Sequence, residues 1–176
     1  MRKTAIQVAL PAALAASLIG VGFAAPAAIA GPGAGPATAK CGKFKKKAQK
    51  KRCQKQNKAN RIAYNQIKDS QFVGVRGDGE EVEDVYCANG KFEARATDST
   101  YGTGVSTGRH WTIVDAKVKR GGRWINAFLK GTGGYEIALQ RRGAQWKYGI
   151  ASFGRILEPG NVEKTGATRA CAALEV

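Results

Sequence analysis

The stretch of sequence that decides the fold is VEDVYCANGKFEARAT, residues 82–97, in which a turn signal joins two alternating segments. Its centre, Asn89-Gly90, is typical of two-residue hairpin turns, because both residues tolerate the positive φ angles of a type I′ turn. After the turn, Phe92 and Ala94 alternate with charged residues, as in a strand with one buried face. The stretch predicts a β-hairpin closed by a type I′ turn.

The same period of two recurs on both sides of this hairpin. QFVGVR (71–76) predicts a strand before it, and HWTIVDAKVK with RWINAFLK and YEIALQRR with WKYGIASF predict two further hairpins. TRACAALEV (168–176) is predicted as the last strand, whereas the glycine-rich YGTGVSTG (101–108) and GTGG (131–134) are predicted as loops. The pattern indicates a mainly β protein, an antiparallel up-and-down β-barrel or a two-sheet sandwich of about eight strands.

Residues 1–30 have the three parts of a secretory signal peptide. A basic start, MRK, precedes a long uncharged apolar run, which ends in AAIA with the small residues that signal peptidase recognises. Cleavage after Ala30 is the expected outcome, with Ala39 as the second choice. The apolar run is also long enough to cross a bilayer, so an uncleaved anchor is the alternative. We expect a secreted product, extracellular or associated with the cell wall.

The mature chain divides into three segments of different composition. GPGAGPATA (31–39) is rich in Gly, Pro and Ala and is typical of a flexible linker. Residues 40–68 form a basic arm, helical or looped, with twelve Lys or Arg and no acidic residue; its apolar spacing predicts a short helix over 54–68. Residues 69–176, the β domain, have fifteen basic and thirteen acidic residues. The positive charge is therefore concentrated in the arm.

Four cysteines in an exported chain predict two disulfides. Cys41–Cys53 with Cys87–Cys171 is the favoured pairing, because each bridge then stays within its own segment; the other two connectivities stay open. In one straight helix Cys41 and Cys53 would lie about 18 Å apart, whereas a disulfide requires Cα atoms within about 7 Å. If these two pair, the arm bends back on itself. The cysteine spacings and the single histidine predict no metal site, and no cofactor is indicated.

The basic arm is the candidate binding site. It is dense enough in positive charge to neutralise several phosphates or other anions, in a salt-dependent and largely sequence-independent way. Wall polymers such as teichoic acid, anionic lipids and extracellular nucleic acid all fit that chemistry. Phe44 and Tyr64 are its few aromatic residues, so base stacking along the arm is not indicated. A solvated charge run is the alternative. The candidate anion-binding residues are Lys43, Lys45, Lys46, Lys47, Lys50, Lys51, Arg52, Lys55, Lys58 and Arg61.

An acidic run, GDGEEVED (77–84), lies near the start of the β domain. Its spacing does not match an EF-hand loop, so calcium binding is not expected. The favoured interpretation is a polar hairpin turn, and the alternative is that the run binds the basic arm within the molecule. Its acidic residues are Asp78, Glu80, Glu81, Glu83 and Asp84.

His110 is the only histidine and the natural starting point for catalysis. Secreted bacterial ribonucleases use a His with Glu and Arg on a β-sheet, and Glu93 and Arg95 invite that comparison. The alternation of the hairpin, however, places Glu93 and Arg95 opposite Phe92, toward solvent. A single histidine also rarely serves as both acid and base. We therefore expect a non-catalytic protein, with a ribonuclease-like enzyme using His110 as the third alternative.

CANGKF (87–92), TGRHWTIVDA (107–116) and a late cysteine follow the signal peptide and the basic arm. In this order they resemble small secreted β-barrel proteins of unknown function from high-GC Gram-positive bacteria, whose barrels are similar to the calycin, lipocalin-like superfamily. The resemblance spans about residues 70–175 and implies a fold and a compartment but no particular activity. It makes a carrier of a small apolar ligand the second function to consider, whereas the many large aromatic residues favour a packed interior.

Overall fold

The computed structural model of the chain describes residues 35–134, 136–152 and 154–174. The predicted signal peptide, residues 1–30, lies outside the described residues, as does the first part of the predicted linker. Within the described residues the chain forms two α-helices, α1 (Lys47–Ile67) and α2 (Thr168–Ala173), and ten strands. The strands are β1 (Gly35–Pro36), β2 (Ser70–Val75), β3 (Glu81–Tyr86), β4 (Phe92–Asp98), β5 (Gly102–Gly108), β6 (Trp111–Lys119), β7 (Trp124–Gly131), β8 (Glu136–Arg142), β9 (Gln145–Ser152) and β10 (Arg155–Gly166).

All ten strands of the described chain belong to one sheet, in the order β1-β6-β7-β8-β9-β10-β2-β3-β4-β5. Neighbouring strands are antiparallel except β1, which runs parallel to β6, so the sheet is mixed. The expectation of a mainly β protein is confirmed. The expected barrel of eight strands is not, because the sheet has ten strands and is not closed: β1 and β5 are its edges.

At the start of β6 the backbone is bonded to segments other than β5. Only two residues separate β5 from β6, and the Trp111 nitrogen donates to the Gly90 oxygen, in the β3–β4 loop, at 3.0 Å. Farther along, β6 pairs with β1, and the Ala37 nitrogen donates to the Ile113 oxygen at 3.0 Å. The first part of the β6 edge that would close a barrel is thus paired with β1, at Thr112 and Ile113.

The hairpin over 82–97 forms as predicted, but its turn differs. β3 and β4 pair along their whole length. The Cys87 nitrogen donates to the Lys91 oxygen at 3.0 Å, and the Gly90 nitrogen donates to the Cys87 oxygen at 3.0 Å, so the loop has three residues. Within it Gly90 has a positive φ of 93°, whereas Asn89 does not have a positive φ. The type I′ expectation is wrong: a three-residue loop that ends on a left-handed glycine replaces it.

Two further predictions, for YGTGVSTG and TRACAALEV, are wrong. YGTGVSTG is not a loop, because Gly102–Gly108 forms β5 and pairs with β4 along its length. TRACAALEV is not a strand, because Thr168–Ala173 forms α2, in keeping with the high helix propensity of alanine. The last strand is instead β10, in which Pro159-Gly160 interrupts the alternation. Of GTGG, Gly131 ends β7 and Thr132–Gly134 forms the turn after it, as predicted for this part.

α1 is longer than the predicted helix over 54–68 and extends into the lysine-rich part of the arm. Like charges four residues apart destabilise a helix by only a few tenths of a kcal/mol per pair. Burial of the opposite face outweighs this repulsion, since Ala63 and Ile67 are fully buried. The helix begins after Lys46 with neither a side-chain cap nor an acidic residue in its first turn.

α1 and the sheet share one hydrophobic core, so the arm is packed on the β domain. Ile67 belongs to the same cluster of buried residues as Phe72, Trp111 and Trp146. Tyr64 stacks on Trp111 with ring centroids 5.0 Å apart, and Phe72 meets Trp146 edge-on at 5.2 Å. Large aromatic side chains therefore fill the space between the helix and the sheet, as the aromatic content favoured.

Phe92, the last residue of CANGKF, lies between two glycines that leave room for its ring. A Cβ atom on Gly108 would lie 2.1 Å from Phe92 Cε1, and one on Gly131 would lie 2.4 Å from Phe92 Cζ. No larger residue fits at either position unless the ring moves. Phe92 thus links β4 to the ends of β5 and β7.

Candidate anion-binding surface

The described part of the predicted linker, residues 35–39, is held against α1 and β6. β1 pairs with β6, and Ala37 is buried. The Asn60 side chain, only 2% exposed, donates from Nδ2 to the Ala37 oxygen at 2.9 Å. Asn57 Nδ2 donates to the Ala39 oxygen at 2.9 Å, and Asn57 Oδ1 accepts from the Ala39 nitrogen at 3.0 Å. This part of the segment is therefore docked and not a free linker.

Two disulfides join the cysteines in the pairing that the sequence favours. Cys41 is bonded to Cys53 with Cα atoms 5.6 Å apart, and Cys87 is bonded to Cys171 with Cα atoms 5.5 Å apart. The arm bends as the first pairing requires: Cys41–Lys43 forms a short 3-10 helix, and the chain turns back before α1 begins. The first bridge thus fixes the start of α1, and the second ties the β3–β4 loop to α2.

Every candidate anion-binding residue has an exposed side chain. Half of them share one face of α1, since a helix advances by about 100° per residue. This row, the cationic stripe, extends about 21 Å along the helix and lies opposite the buried Asn60, Ala63 and Ile67. The stripe consists of Lys47, Lys50, Lys51, Lys58 and Arg61. The other candidates are Lys43, Lys45 and Lys46, in the turn before α1, Lys55, at the edge of the stripe, and Arg52, about 100° around the helix from Lys51.

These basic side chains have no acidic partner in the described chain. The helix start adds to the positive potential, because its free N–H groups form the positive end of the helix dipole and no side chain caps them. A bound anion would lower the electrostatic free energy of this surface. The ion pairs among the described residues are Arg76 with Asp78, Arg76 with Glu80, Arg95 with Glu93 and Lys130 with Glu136.

The acidic run forms the polar β2–β3 turn and the strand that follows it. Arg76 Nε donates to both carboxylate oxygens of Asp78 at 2.9 Å, and this bonding lowers the pKa of Asp78 from 3.8 to about 2. Glu80 also pairs with Arg76. Asp84 is buried and accepts a hydrogen bond from the Tyr86 hydroxyl at 2.6 Å. The run has no bond to the arm within the described residues, which also contain no cluster able to hold a metal ion.

His110 is not bonded to Glu93 or Arg95 in the part of the chain that the structure describes. Arg95 Nε donates to Glu93 Oε1 at 2.7 Å on the outward face of β4, beside the buried Phe92. His110 lies in the connection before β6, where its backbone oxygen accepts from the Thr132 nitrogen at 3.1 Å. The three side chains do not form a hydrogen-bonded set, and the expectation of a non-catalytic protein stays a prediction.

Sequence reasoning missed a second basic surface, at the end of the sheet where β6 turns into β7 and β8 into β9. A groove of about 860 Å³, the hairpin groove, lies there. The net charge of the β domain gave no sign of this surface, because acidic residues in other parts of the domain nearly cancel its positive charge. The available signal was RGGR at 120–123, a turn with an arginine on each side. The hairpin groove is lined by Lys119, Arg120, Arg123, Trp124, Arg142 and Gly143.

A second groove, of about 520 Å³, lies over β2 to β5. Its lining mixes apolar side chains, such as Val73 and Val75, with charged ones, such as Glu83 and Arg95. Sites for small apolar ligands are lined predominantly by apolar and aromatic side chains. Neither groove therefore supports the alternative of a lipocalin-like carrier.

No helix among residues 35–134, 136–152 and 154–174 is both long and apolar enough to cross a membrane. Comparisons of the chain with protein-family models, with curated proteins and with solved structures find no match. The function therefore has to be inferred from the stripe, the turn before α1 and the hairpin groove themselves.

Proposed function

We propose that the chain is an exported, non-catalytic protein that binds anionic polymers or surfaces through the cationic stripe and the turn before it. The observation that carries the proposal is the set of exposed basic side chains on and before α1, none of which has an acidic partner in the described chain. The two disulfides accord with an oxidising compartment outside the cytoplasm.

The rigid attachment of α1 supports the proposal. Its buried face packs in the core through Ala63 and Ile67, and its first half is held by the Cys41–Cys53 bridge and by Asn57. A disordered basic tail loses conformational entropy when it binds, whereas a docked helix has already lost it. The stripe should bind a polyanion more tightly than a disordered tail of the same charge.

The proposed binding is governed by phosphate or other anionic charge and not by sequence. Each phosphate that the stripe neutralises releases counterions, so the affinity falls with salt at a log–log slope of about −0.7 to −0.9 per contact. Wall polymers, anionic lipid headgroups and nucleic acids all present such charges. The stripe alone does not discriminate among them.

Substitution on the helix surface tests the proposal better than deletion of the arm, because Ala63 and Ile67 belong to the core. The test variant is Lys47→Gln/Lys51→Gln/Lys58→Gln. Elution from heparin resin in a salt gradient should occur at clearly lower salt for this variant than for the unchanged protein. Binding to polyphosphate, to phosphatidylglycerol vesicles and to single-stranded DNA then ranks the three partner classes.

The matched control removes three positive charges away from the stripe. Lys117, Arg155 and Arg169 are exposed and have no ion pair with any described residue. The Lys117→Gln/Arg155→Gln/Arg169→Gln variant should elute close to the unchanged protein. Equal elution of the test and control variants would mean that retention follows net charge alone, and the proposal would be abandoned.

A further inference from the structure

The hairpin groove combines four basic residues with one partly exposed tryptophan, a combination that the stripe lacks. The strand register places its residues side by side: Lys119 pairs with Trp124 across β6 and β7, and Trp124 pairs with Arg142 across β7 and β8. The Gly143 nitrogen donates to the Arg123 oxygen at 2.8 Å and fixes the two turns relative to each other. The groove is therefore built on paired strand ends and has a defined shape.

The charge of the hairpin groove is uncompensated. None of its lining residues is acidic, and none of its four basic residues forms an ion pair within the described residues. Three of the four are arginines, whose planar guanidinium groups bind phosphate through two parallel hydrogen bonds. Such an arrangement favours a ligand that presents several phosphates in succession.

Arg120 occupies a backbone conformation that a glycine would adopt more easily. Its φ is 50°, and the next two residues, Gly121 and Gly122, have φ values of 62° and 96°. A left-handed conformation at a non-glycine residue costs about 1 kcal/mol or more. An arginine at this position places a guanidinium group at the tip of the turn, at the mouth of the groove.

Trp124 distinguishes among phosphate-bearing ligands. Trp111 and Trp146 are buried, with 1% and 5% of their surface exposed, whereas Trp124 is half-buried in the lining of the groove. Lys119 Nζ lies over this ring, 5.2 Å from its centroid, and adds a positive charge beside the aromatic surface. A nucleobase stacks on such a ring with a gain of about 1–3 kcal/mol. Polyol phosphates and lipid headgroups have no planar group that gains in this way.

We propose that the hairpin groove binds single-stranded nucleic acid, with Arg120, Arg123 and Arg142 on successive phosphates and one base stacked on Trp124. A duplex keeps its bases stacked on each other and does not offer one to the ring. The groove is a second binding site, because it lies on the β domain and contains no stripe residue. It would also narrow the possible partners of the protein to one class of polyanion, single-stranded nucleic acid.

The groove lies beside the C-terminal part of α1, the helix that carries the stripe. Gly122, in the turn that forms the groove, packs beside Ile62 and Gln66 of α1. Arg141 Nη1 donates to Gln66 Oε1 at 2.6 Å and joins β8 to the same part of the helix. A nucleic-acid strand that leaves the groove on this side would therefore pass the C-terminal part of α1.

The test uses the full mature protein, a ten-nucleotide oligo(dT), a duplex of the same length and inorganic polyphosphate of matching phosphate number. Oligo(dT) should quench tryptophan emission, whereas polyphosphate should bind without quenching. Trp124→Phe should abolish most of the quenching and keep part of the affinity, and Trp124→Ala should weaken oligo(dT) binding by about tenfold or more. Near-UV circular dichroism checks that both variants retain the fold.

Charge variants separate this proposal from the function of the stripe. Arg120→Gln/Arg123→Gln should weaken oligo(dT) binding much more than Arg155→Gln/Arg169→Gln, which removes the same charge elsewhere. The stripe variant Lys47→Gln/Lys51→Gln/Lys58→Gln should weaken oligo(dT) and polyphosphate alike and leave the quenching at saturation unchanged.

Two results would overturn the inference and leave the proposed function standing. One is an unchanged affinity of Trp124→Ala for oligo(dT). The other is an affinity of the unchanged protein for polyphosphate equal to its affinity for oligo(dT) of the same phosphate number. If the stripe variant binds every polyanion as well as the unchanged protein while the groove variants do not, the proposed function fails and the groove inference holds. Absence of binding to all three ligands would end both.

Discussion

The side-chain amide of Asn57 bonds to both polar groups of the Ala39 backbone, donating to its oxygen at 2.9 Å and accepting from its nitrogen at 3.0 Å. The Asn57 side chain thereby satisfies both backbone groups of Ala39, as a neighbouring strand would in a sheet. The bond pair sets where the chain enters the disulfide and, through it, where the lysine-rich part of α1 begins. The presentation of the stripe depends on this contact.

Replacement of Asn57 by Ala should lower the free energy of unfolding by about 2 kcal/mol, because two partly buried hydrogen bonds are lost and the Ala39 groups lose their partner. Urea unfolding followed by circular dichroism measures the change. Asn65→Ala is the matched control, since Asn65 is exposed on the same helix. A loss of the same size in both variants would show that helix propensity, and not the contact with Ala39, is responsible.

The two disulfides should differ in their contribution to stability. The Cys87–Cys171 bridge closes a loop of sequence separation 84 and the Cys41–Cys53 bridge one of 12. The chain-entropy relation gives about 4.5 kcal/mol for the longer loop and about 3 kcal/mol for the shorter one. Urea unfolding of Cys87→Ala/Cys171→Ala and Cys41→Ala/Cys53→Ala tests this order. The reverse order would mean that the short bridge acts mainly by fixing the native helix start.

Lys51→Gln should stabilise the protein at low salt while it weakens polyanion binding. Lys51 is four residues from Lys47 and from Lys55 on α1, so the substitution removes two repulsive pairs and adds about 0.5 kcal/mol. The gain should vanish in 1 M salt, where the Debye length is about 3 Å. Thermal unfolding at several salt concentrations measures it, with Lys117→Gln as the control. A gain that persists in 1 M salt would contradict the electrostatic explanation.

The Arg76–Asp78 contact should stabilise the folded state above pH 4 and lose its effect in acid. The hydrogen bond from Arg76 lowers the pKa of Asp78 from 3.8 to about 2, so the carboxylate binds its proton more weakly in the folded state. Its contribution to stability is therefore present above pH 3.8 and disappears as the pH falls through about 2. NMR titration of the Asp78 carboxyl should show a midpoint near 2, which returns toward 3.8 in Arg76→Gln. A midpoint near 3.8 in the unchanged protein would show that the contact does not form in solution.

Gly131→Ala should destabilise the fold by about 2 kcal/mol, because the new methyl group would collide with the Phe92 ring in a packed core. Phe92→Leu in the same background should recover part of this loss, since the smaller side chain makes room. Chemical denaturation of the single and double variants measures both effects. Gly166→Ala serves as the control, because a Cβ atom there meets no heavy atom within 4 Å. Additive losses in the double variant would show that the two positions do not interact.

Local signals in the sequence predicted the elements whose side chains alternate. The hairpin around Asn89-Gly90 and the strands with Trp111, Trp124 and Trp146 were found in this way, because each has one buried face. β5 was missed because its small, exposed residues show no alternation, although its backbone pairs with β4 along its length. β10 was missed because Pro159-Gly160 interrupts the pattern.

The candidate site was predictable only where charge is dense along the chain. The ten basic residues of the arm are close in sequence and were found, whereas Trp124 and Arg142 come together only through the pairing of β7 with β8. Asn57 and Asn60 gave no signal either, because their partners are backbone atoms of a segment that composition marks as a linker. Contacts between distant segments decide these features, and periodicity carries no information about them.

The place of β2 in the sheet has a consequence for the order in which the protein folds. β2 pairs with β3, its neighbour along the chain, but also with β10, from Gly74↔Val162 to Ser70↔Gly166. During synthesis from the N-terminus, the second edge of β2 therefore stays unpaired until β10 has been made. Cys171 emerges later still, so the bridge to Cys87 forms on an almost finished sheet and locks it. Contacts of such long sequence separation are typical of slow folding, on the scale of milliseconds to seconds.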